Sequence, residues 1–400
     1  MMAAIAAVHA GADVVLLEKM ERVGKKLAIT GKGRCNITSA VPGDELVKGF
    51  PGQGRFLYSV FNQFSNQDLI KFFNDRGLAT KIERGLRVFP VSDQAGDVVK
   101  VLYDELVGSG VRVHLKCPVK NIYINDNAVQ AVQTSEQTFP ADAVIIGTGG
   151  LSYPGTGSTG DGYKWARQAG HRIEEPRPGL VPLLVKESWV QGLQGLSLKN
   201  VRAAAYDTRG RKINEDFGEL LFTHFGLSGP IILSMSHDIG KYLQNKHAEI
   251  TLKIDLKPAL SEDKLDERIQ RDFAKYSRKI LKNSLHDLMP RKLIPLVISL
   301  SGIDPDKECH HITRGERSAL VDIMKGLSLT VNGTRPVAEA IVTAGGVNVK
   351  EINPKTMESK LVRGLFFAGE VLDVDGYTGG YNLQAAFSTG YVAGRNAARY

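Results

Sequence analysis

The sequence predicts an α/β fold in which the two ends of the chain build one discontinuous domain around inserted material. Three observations carry that prediction. Met1–Ala10 is alanine-rich with the apolar spacing of a buried helix, Gly11 stands where that helix ends, and "ADVVLLEK" is a short buried strand finishing on Glu18. "ADAVIIGTGG" is a buried strand running into a glycine turn at Gly147–Gly150. "GLFFAGEVLDVDGYTGGYNLQAAFSTGYVAGRNAARY" gives a third strand, a glycine loop and a long helix from about Asn382. Between the last two the style of the sequence changes, near Pro176, so residues 1–182 and 341–400 are assigned to one domain and 183–340 to an insert.

The remaining elements follow in order. "GKKLAITGKGRCNIT" reads as a basic, glycine-rich loop, and residues 55–77 as one helix closed by Gly77. "ERGLRVFP" is strand or turn, a helix precedes a strand from Val111, and residues 127–150 hold two or three strands. In the insert, short β-like runs fill 183–257. A charged helical stretch follows from Ser261 to about Leu300, with a second helix at "RGERSALVDIMKGL", so 258–326 is helical.

Composition narrows the function classes. An apolar fraction of 42% and a charged fraction of 24% belong to an ordinary soluble globular chain, and no apolar run reaches the length of a membrane span. The alanine-rich start lacks the basic flank of a signal sequence. Cys35, Cys117 and Cys309 form no metal-ligand spacing, no CxxC pair and no even-numbered disulfide set, so the expectation is reduced thiols in a cytoplasmic protein and no metal site. The net charge of +8 suits phosphate-rich or anionic partners. It is mixed in sign along "SEDKLDERIQRDFAKYSRKILKN", as on solvated helix faces, and a basic stripe with interleaved aromatics is lacking, so nucleic acid is not the expected partner.

Particular residues point to chemistry. A helix, a turn and an acid-ended strand form the second half of a dinucleotide-binding βαβ unit, where Glu18 accepts hydrogen bonds from ribose hydroxyls; the alternative is a surface carboxylate. The first half, a strand and GxGxxG, belongs ahead of Met1, and Met1 and Met2 then read as internal methionines of a gene product that extends upstream. In "TGKGRCN", Gly31 and Gly33 bracket Lys32 and precede Arg34, offering free N–H groups and cations to a pyrophosphate or to the electron-rich end of a reduced flavin; the alternative is a basic surface turn. Cys35 is a packing residue rather than a nucleophile. Glu370 ends the "GLFFAGE" strand, placed to bind a polyol chain. Gly379 and Gly380 open a helix whose N-terminal N–H groups and dipole suit the N1 and C2 carbonyl end of a flavin.

With these stretches, "LLEKMERVGKKLAITGKGRCNIT", "VIIGTGGLSYPGTGSTGDGY", "LFTHFGLSGPIIL", "AIVTAGGV", "TMESK" and "GLFFAGEVLDVDGYTGGYNLQAAFSTG", the chain resembles the HI0933-like flavoproteins, the family of the bile-acid-inducible N reductase and aminoacetone oxidase, over nearly its whole length. The resemblance implies a Rossmann-like FAD domain of the glutathione-reductase type, split by a β-barrel-like and helical insert. It implies Glu18, Lys19 and Lys26 near the adenosine ribose, Gly31, Gly33 and Arg34 along the cofactor, and Val119 beside the adenine. Thr148, Gly149 and Gly150 fall on the pyrophosphate side, Gly369 and Glu370 at the ribityl chain, and Gly379, Gly380, Tyr381, Asn382 and Leu383 at the isoalloxazine.

The expected function is therefore FAD-dependent oxidoreduction, with hydride passing through flavin N5 to or from a small organic molecule and NAD(P)H as a transient donor. Arg34 is expected to stabilise the reduced flavin. His224, in "FTHFGLSG", is a proton-transfer candidate or, more ordinarily, a buried structural histidine. Tyr153 lines the substrate face or packs. The rival readings are a flavin enzyme acting on RNA and a non-catalytic flavoprotein.

Overall fold

A computed structural model describes residues 1–244 and 249–400, and the chain divides into two compact units, Met1–Gly179 with Val337–Tyr400, and Leu180–Pro336. The first unit is α/β. Strand Val15–Leu17 pairs in parallel with Arg112–His114, and strand Leu365–Phe367 pairs in parallel with Val144–Ile146. Val144–Ile146 and Leu365–Phe367 are short and apolar because helices cover them: Phe366 and Phe367 are fully buried.

Helix Tyr381–Ala397 lies directly on helix Met2–His9. Small residues make that approach possible: a Cβ on Gly394 would sit 2.1 Å from the carbonyl oxygen of Ala3, and one on Gly390 would sit 3.4 Å from the Ala3 nitrogen. The alanine-rich start and the small-residue end are thus two sides of one interface.

Several elements differ from the sequence reading. The stretch 55–77 holds a 3₁₀ turn, Gly54–Leu57, and two helices, Tyr58–Gln63 and Asn66–Asn74. Ser65 makes the break: its hydroxyl accepts from Asp68 N while the Asp68 carboxylate accepts from Ser65 N, a reciprocal cap that starts a new helix. The basic segment after Gly24 is not all loop but a helix, Lys25–Ile29, and a tight turn, Thr30–Gly33. "ERGLRVFP" belongs to a hairpin, Thr80–Glu83 with Arg87–Pro90.

The second unit is a closed six-stranded barrel, Leu183–Val185, Gly226–Ser228, Lys212–Phe222, Ser197–Tyr206, Ile250–Asp255 and Leu327–Thr334 in order around it, every pairing antiparallel. Two expectations change here. The β-rich part is not confined to 183–257, because the closing strand Leu327–Thr334 follows the helices. The span 183–257 also contains a helix, Pro230–Leu243, started by proline at its first position after Gly229; residues 245–248 of that span lie outside the described residues. The charged stretch is helix Glu262–Lys275 capped by Ser261, then short 3₁₀ turns around Pro290, then helix Ile294–Ser301. Helix Arg314–Gly326 starts at a Thr313–Glu316 capping box.

Among the described residues no helix is long and apolar enough to cross a membrane.

Candidate cofactor-binding site

The acid-ended strand leads straight to one end of the site. Glu18 N donates to His114 O at 2.9 Å, and Cys117 N donates to Glu18 O at 2.9 Å, so the parallel pairing continues past both strands. The Glu18 carboxylate accepts from Met20 N at 2.8 Å. Lys19 reaches the helix Asp161–Gln168 instead, donating to Asp161 at 2.6 Å and to Thr159. Val119 opens the next strand, Val119–Asn125, two residues beyond Cys117. Glu18 and the approach to Val119 are thereby brought together.

Farther along, four groups from distant parts of the chain converge. Lys26 donates to Glu370 Oε2 at 2.5 Å and to Ser152 Oγ at 2.7 Å. Ser152 Oγ and Thr343 N both donate to Glu370 Oε1, at 2.9 and 2.7 Å. Thr343 Oγ1 accepts from the backbone of Leu151 and Ser152 at 2.8 and 3.1 Å, locking the turn that follows Thr148, Gly149 and Gly150. Only glycine fits at 150, since a Cβ there would lie 2.3 Å from Thr343 Oγ1. Lys26 is therefore bonded to Glu370 and Ser152.

At the third point, Gly380 opens helix Tyr381–Ala397 with φ +99°, and a Cβ on it would lie 2.4 Å from the Thr38 backbone. Thr38 Oγ1 donates to Gln384 Oε1 at 2.5 Å, and Gln384 Nε2 donates to Ser388 Oγ at 2.8 Å, a buried polar chain that fixes the helix start. The Asn382 amide accepts from Gly376 N and donates to Gly376 O, both at 2.8 Å, closing the preceding loop. A Cβ on Gly379 would lie 3.2 Å from the Tyr381 ring, Gly369 N donates to Thr389 Oγ1 at 2.9 Å, and Leu383 packs into the core beneath.

Arg34 is engaged elsewhere. Its guanidinium lies over the Phe89 ring at 4.2 Å and donates to Asp93 and Glu83, each at 2.5 Å at closest; Lys81 together with Arg34 holds Asp93, and Arg34 holds Glu83, below the usual carboxylate range. Gly31 and Gly33, at φ +56° and +84°, turn the chain into that cluster. Cys35 is fully buried and burial pushes its thiol up to about 12, the behaviour of a packing residue. His224 is not the buried structural histidine expected from sequence. It is exposed at the bend between Lys212–Phe222 and Gly226–Ser228, edge-on to Phe225 at 4.9 Å. Tyr153 is 39% exposed, its N–H donated to Ala338 O.

With this geometry, comparison with known proteins decides the family. The model described as HI0933-like protein Rossmann domain matches residues 1–396. The chain belongs to the HI0933-like family. It is 34% identical to the 3-dehydro-bile acid delta(4,6)-reductase of Clostridium scindens over 99% of this chain and 96% of that protein. It is 33% identical to the ribosomal RNA dihydrouridine synthase of Haemophilus influenzae over 97% of this chain and 93% of that protein. The 3-ketosteroid-delta4-(5alpha)-dehydrogenase of Rhodococcus jostii shares the fold at 15% identity, covering 100% of this chain and 94% of that one, TM-score 0.53. This HI0933-like protein is accordingly a Rossmann-type flavoprotein of the oxidoreductase class.

The residues present fit FAD. The tight backbone at Gly380, the acid at Glu370 and the open, exposed Gly147 are compatible with a ribityl chain and ring passing close to the backbone. Sequence reasoning did not single out Ser152, Thr343, Thr38 and Gln384, although all four lie in the stretches that carry the family resemblance. Pairing between distant segments has no local signature, although "IVTAGGV" stood among the family motifs. Glu308, His310 and His311 also bring potential ligand atoms within 4.8 Å of one another on the exposed turn at Cys309–His311, a grouping that the cysteine-based search for metal spacing passed over.

Proposed function

We propose that this HI0933-like protein is an FAD-dependent reductase of a carbon–carbon double bond conjugated to a carbonyl. The observation that carries the reading is that two relatives, each similar over more than nine tenths of both chains, are named for the same bond change on different molecules. One is a delta(4,6)-reductase of a 3-dehydro-bile acid and the other makes dihydrouridine. When bound, FAD supplies hydride at N5 to the β carbon of such a system, and the α carbon takes a proton. The chain's own part is to hold the ribityl chain beside the Glu370–Lys26 pair and to present the N-terminus of helix Tyr381–Ala397 to the N1 end, where negative charge collects. Arg34, if released from Glu83 and Asp93, adds a cation there, and His224 is the proton-transfer candidate of the second unit.

We take the substrate to be a small organic enone and the donor to be NAD(P)H acting transiently. The pairings of the second unit are all antiparallel, and a second dinucleotide-binding βαβ unit is absent among its described residues. RNA is the second reading, favoured by the dihydrouridine synthase relative and the net charge of +8. Anaerobic titration of the purified protein with NADPH and NADH, followed by reoxidation with a 3-oxo-Δ4 steroid or with unmodified ribosomal RNA, tests both. Reoxidation by the enone with formation of the saturated ketone is expected. Reoxidation by RNA alone, lost at moderate salt, replaces the first reading with the second. A flavin that neither nicotinamide reduces overturns the donor assignment.

A further inference from the structure

The 3₁₀ turn Cys309–His311 gathers three metal-ligating side chains within the second unit. Glu308, His310 and His311 each offer a ligand atom, and these atoms all lie within 4.8 Å of one another. The turn itself produces that grouping. Side chains three apart eclipse in a 3₁₀ turn, which brings Glu308 and His311 to one side. The His310 and His311 rings pack with centroids 3.9 Å apart, and Glu308 Oε2 lies 3.3 Å from His310 Nδ1. Backbone bonds pin the segment. Cys309 N donates to Lys279 O at 3.0 Å, His310 N to Ser277 O at 3.2 Å, and Ile312 N to Cys309 O at 3.3 Å. Cys309 and Ile312 are buried in the core of that unit, while His310 and His311 stay exposed and Glu308 half-buried.

A second observation concerns orientation. His310 Nδ1 lies 2.9 Å from the Ser277 carbonyl oxygen. A carbonyl only accepts, so Nδ1 carries the proton and the neutral ring keeps its lone pair on Nε2. Metal-binding histidines are oriented by a bond of this kind from the other ring nitrogen. We propose that Glu308, His310 and His311 form a binding site for one divalent transition-metal ion of the zinc class, separate from the flavin site. Two imidazoles and a carboxylate suit Zn²⁺, Ni²⁺ or Cu²⁺, whereas Mg²⁺ and Ca²⁺ take oxygen ligands. The thiol of Cys309, the softest ligand of the turn, is withdrawn into the core, so the donor set is nitrogen and oxygen. Three protein ligands at the surface leave the remaining coordination positions to water.

The test uses the whole chain, stripped with a chelator, and Zn²⁺ alone as the probe. Equilibrium dialysis of the parent is compared with that of His310→Ala, His311→Ala and Glu308→Gln. The parent is expected to take up zinc at micromolar concentration and to hold it against a large excess of Mg²⁺. Each variant is expected to bind that ion about tenfold more weakly or worse, and the double replacement of both histidines to lose one zinc per chain. Replacing His310 also gives up its bond to Ser277 and lowers stability if that bond matters to the fold. His311→Ala removes an exposed ring, so its metal-free melting temperature should match the parent, and it keeps the comparison readable. Unchanged zinc affinity and stoichiometry in His311→Ala and Glu308→Gln overturn the proposal. A parent that binds no zinc in this range, or releases it to Mg²⁺, overturns it as well. Zinc uptake is read without flavin, so a chain that binds no FAD overturns the reading above and leaves this one standing.

Discussion

Glu370 shows how a single side chain ties the discontinuous domain together. Its oxygens take donors from Lys26, Ser152 and Thr343, three segments that the sequence separates widely. Removing the carboxylate leaves Lys26 with one partner fewer in a partly buried place, so Glu370→Ala is expected to lower unfolding free energy by about 2 kcal/mol and to reduce bound FAD. Urea titration and the flavin-to-protein absorbance ratio check this; an unchanged midpoint with full flavin content places Glu370 outside the site. His171 offers a test in pH. Ser359 Oγ already accepts from Leu361 N and Val362 N, so its hydroxyl proton is left for His171 Nε2, and His171 Nδ1–H faces Glu351. Burial accordingly lowers the imidazole below its usual value, against the pull of Glu351. A histidine that is harder to protonate folded than unfolded contributes stability that is complete above pH about 6.5 and is lost as pH falls below it. His171→Gln should flatten that part of the stability–pH curve, read by thermal melts between pH 5 and 8. Glu370 was legible in the sequence because it ends a buried strand. His171 was not, since its partners come from a loop almost two hundred residues away.

Elements were legible to the extent that local signals defined them. Helix Tyr381–Ala397 and strand Leu365–Phe367 stand where the glycine pair and apolar run put them. The single helix expected over 55–77 failed because hydrophobic periodicity runs through a break that only the Ser65–Asp68 cap reveals. Helix Pro230–Leu243 was read as β because a short apolar run has no period of its own, and its Gly-Pro start was the better signal. The interface between helices Met2–His9 and Tyr381–Ala397 gives a paired prediction. Gly394→Ala pushes a methyl group against the Ala3 carbonyl and is expected to cost about 1–3 kcal/mol, whereas Gly390→Ala meets ordinary contact distances and should be close to neutral. Chemical denaturation of the two variants decides it. Equal stability of both would mean that the helices are free to separate. Gly380→Val belongs to the same class of change at the cofactor end. Its side chain collides with the Thr38 backbone and shifts the helix start, so FAD content should fall in near proportion to the shift in melting temperature.

At the scale of the whole molecule, charge sets the acid limit. Arg211 and its backbone N–H hold Asp207, Lys275 holds Asp287 and Lys307 holds Glu316, each carboxyl drawn down to about 2. Carboxylates depressed in the folded state contribute stability that is present above pH about 4 and disappears as pH falls toward 2. Circular dichroism along an acid titration should therefore show unfolding within that window, and high salt should narrow the difference between variants lacking these pairs and the parent. The barrel was legible only in part for a topological reason: its closing strand, Leu327–Thr334, lies beyond two helical stretches, and nothing local in "SLTVNGT" says which strands it joins. The contact of the first helix with the last carries a consequence for synthesis. Leu180–Pro336 is continuous and can close while translation proceeds, but the wall formed by Tyr381–Ala397 is made only after everything from the first helix through that unit has been synthesised. At about 5–20 residues per second, helix Met2–His9 waits roughly 20–80 s for its partner, exposed to chaperones and to aggregation meanwhile. Loading with nucleotide then waits for that helix, and a nascent chain arrested before Gly380 should emerge colourless however much FAD surrounds it.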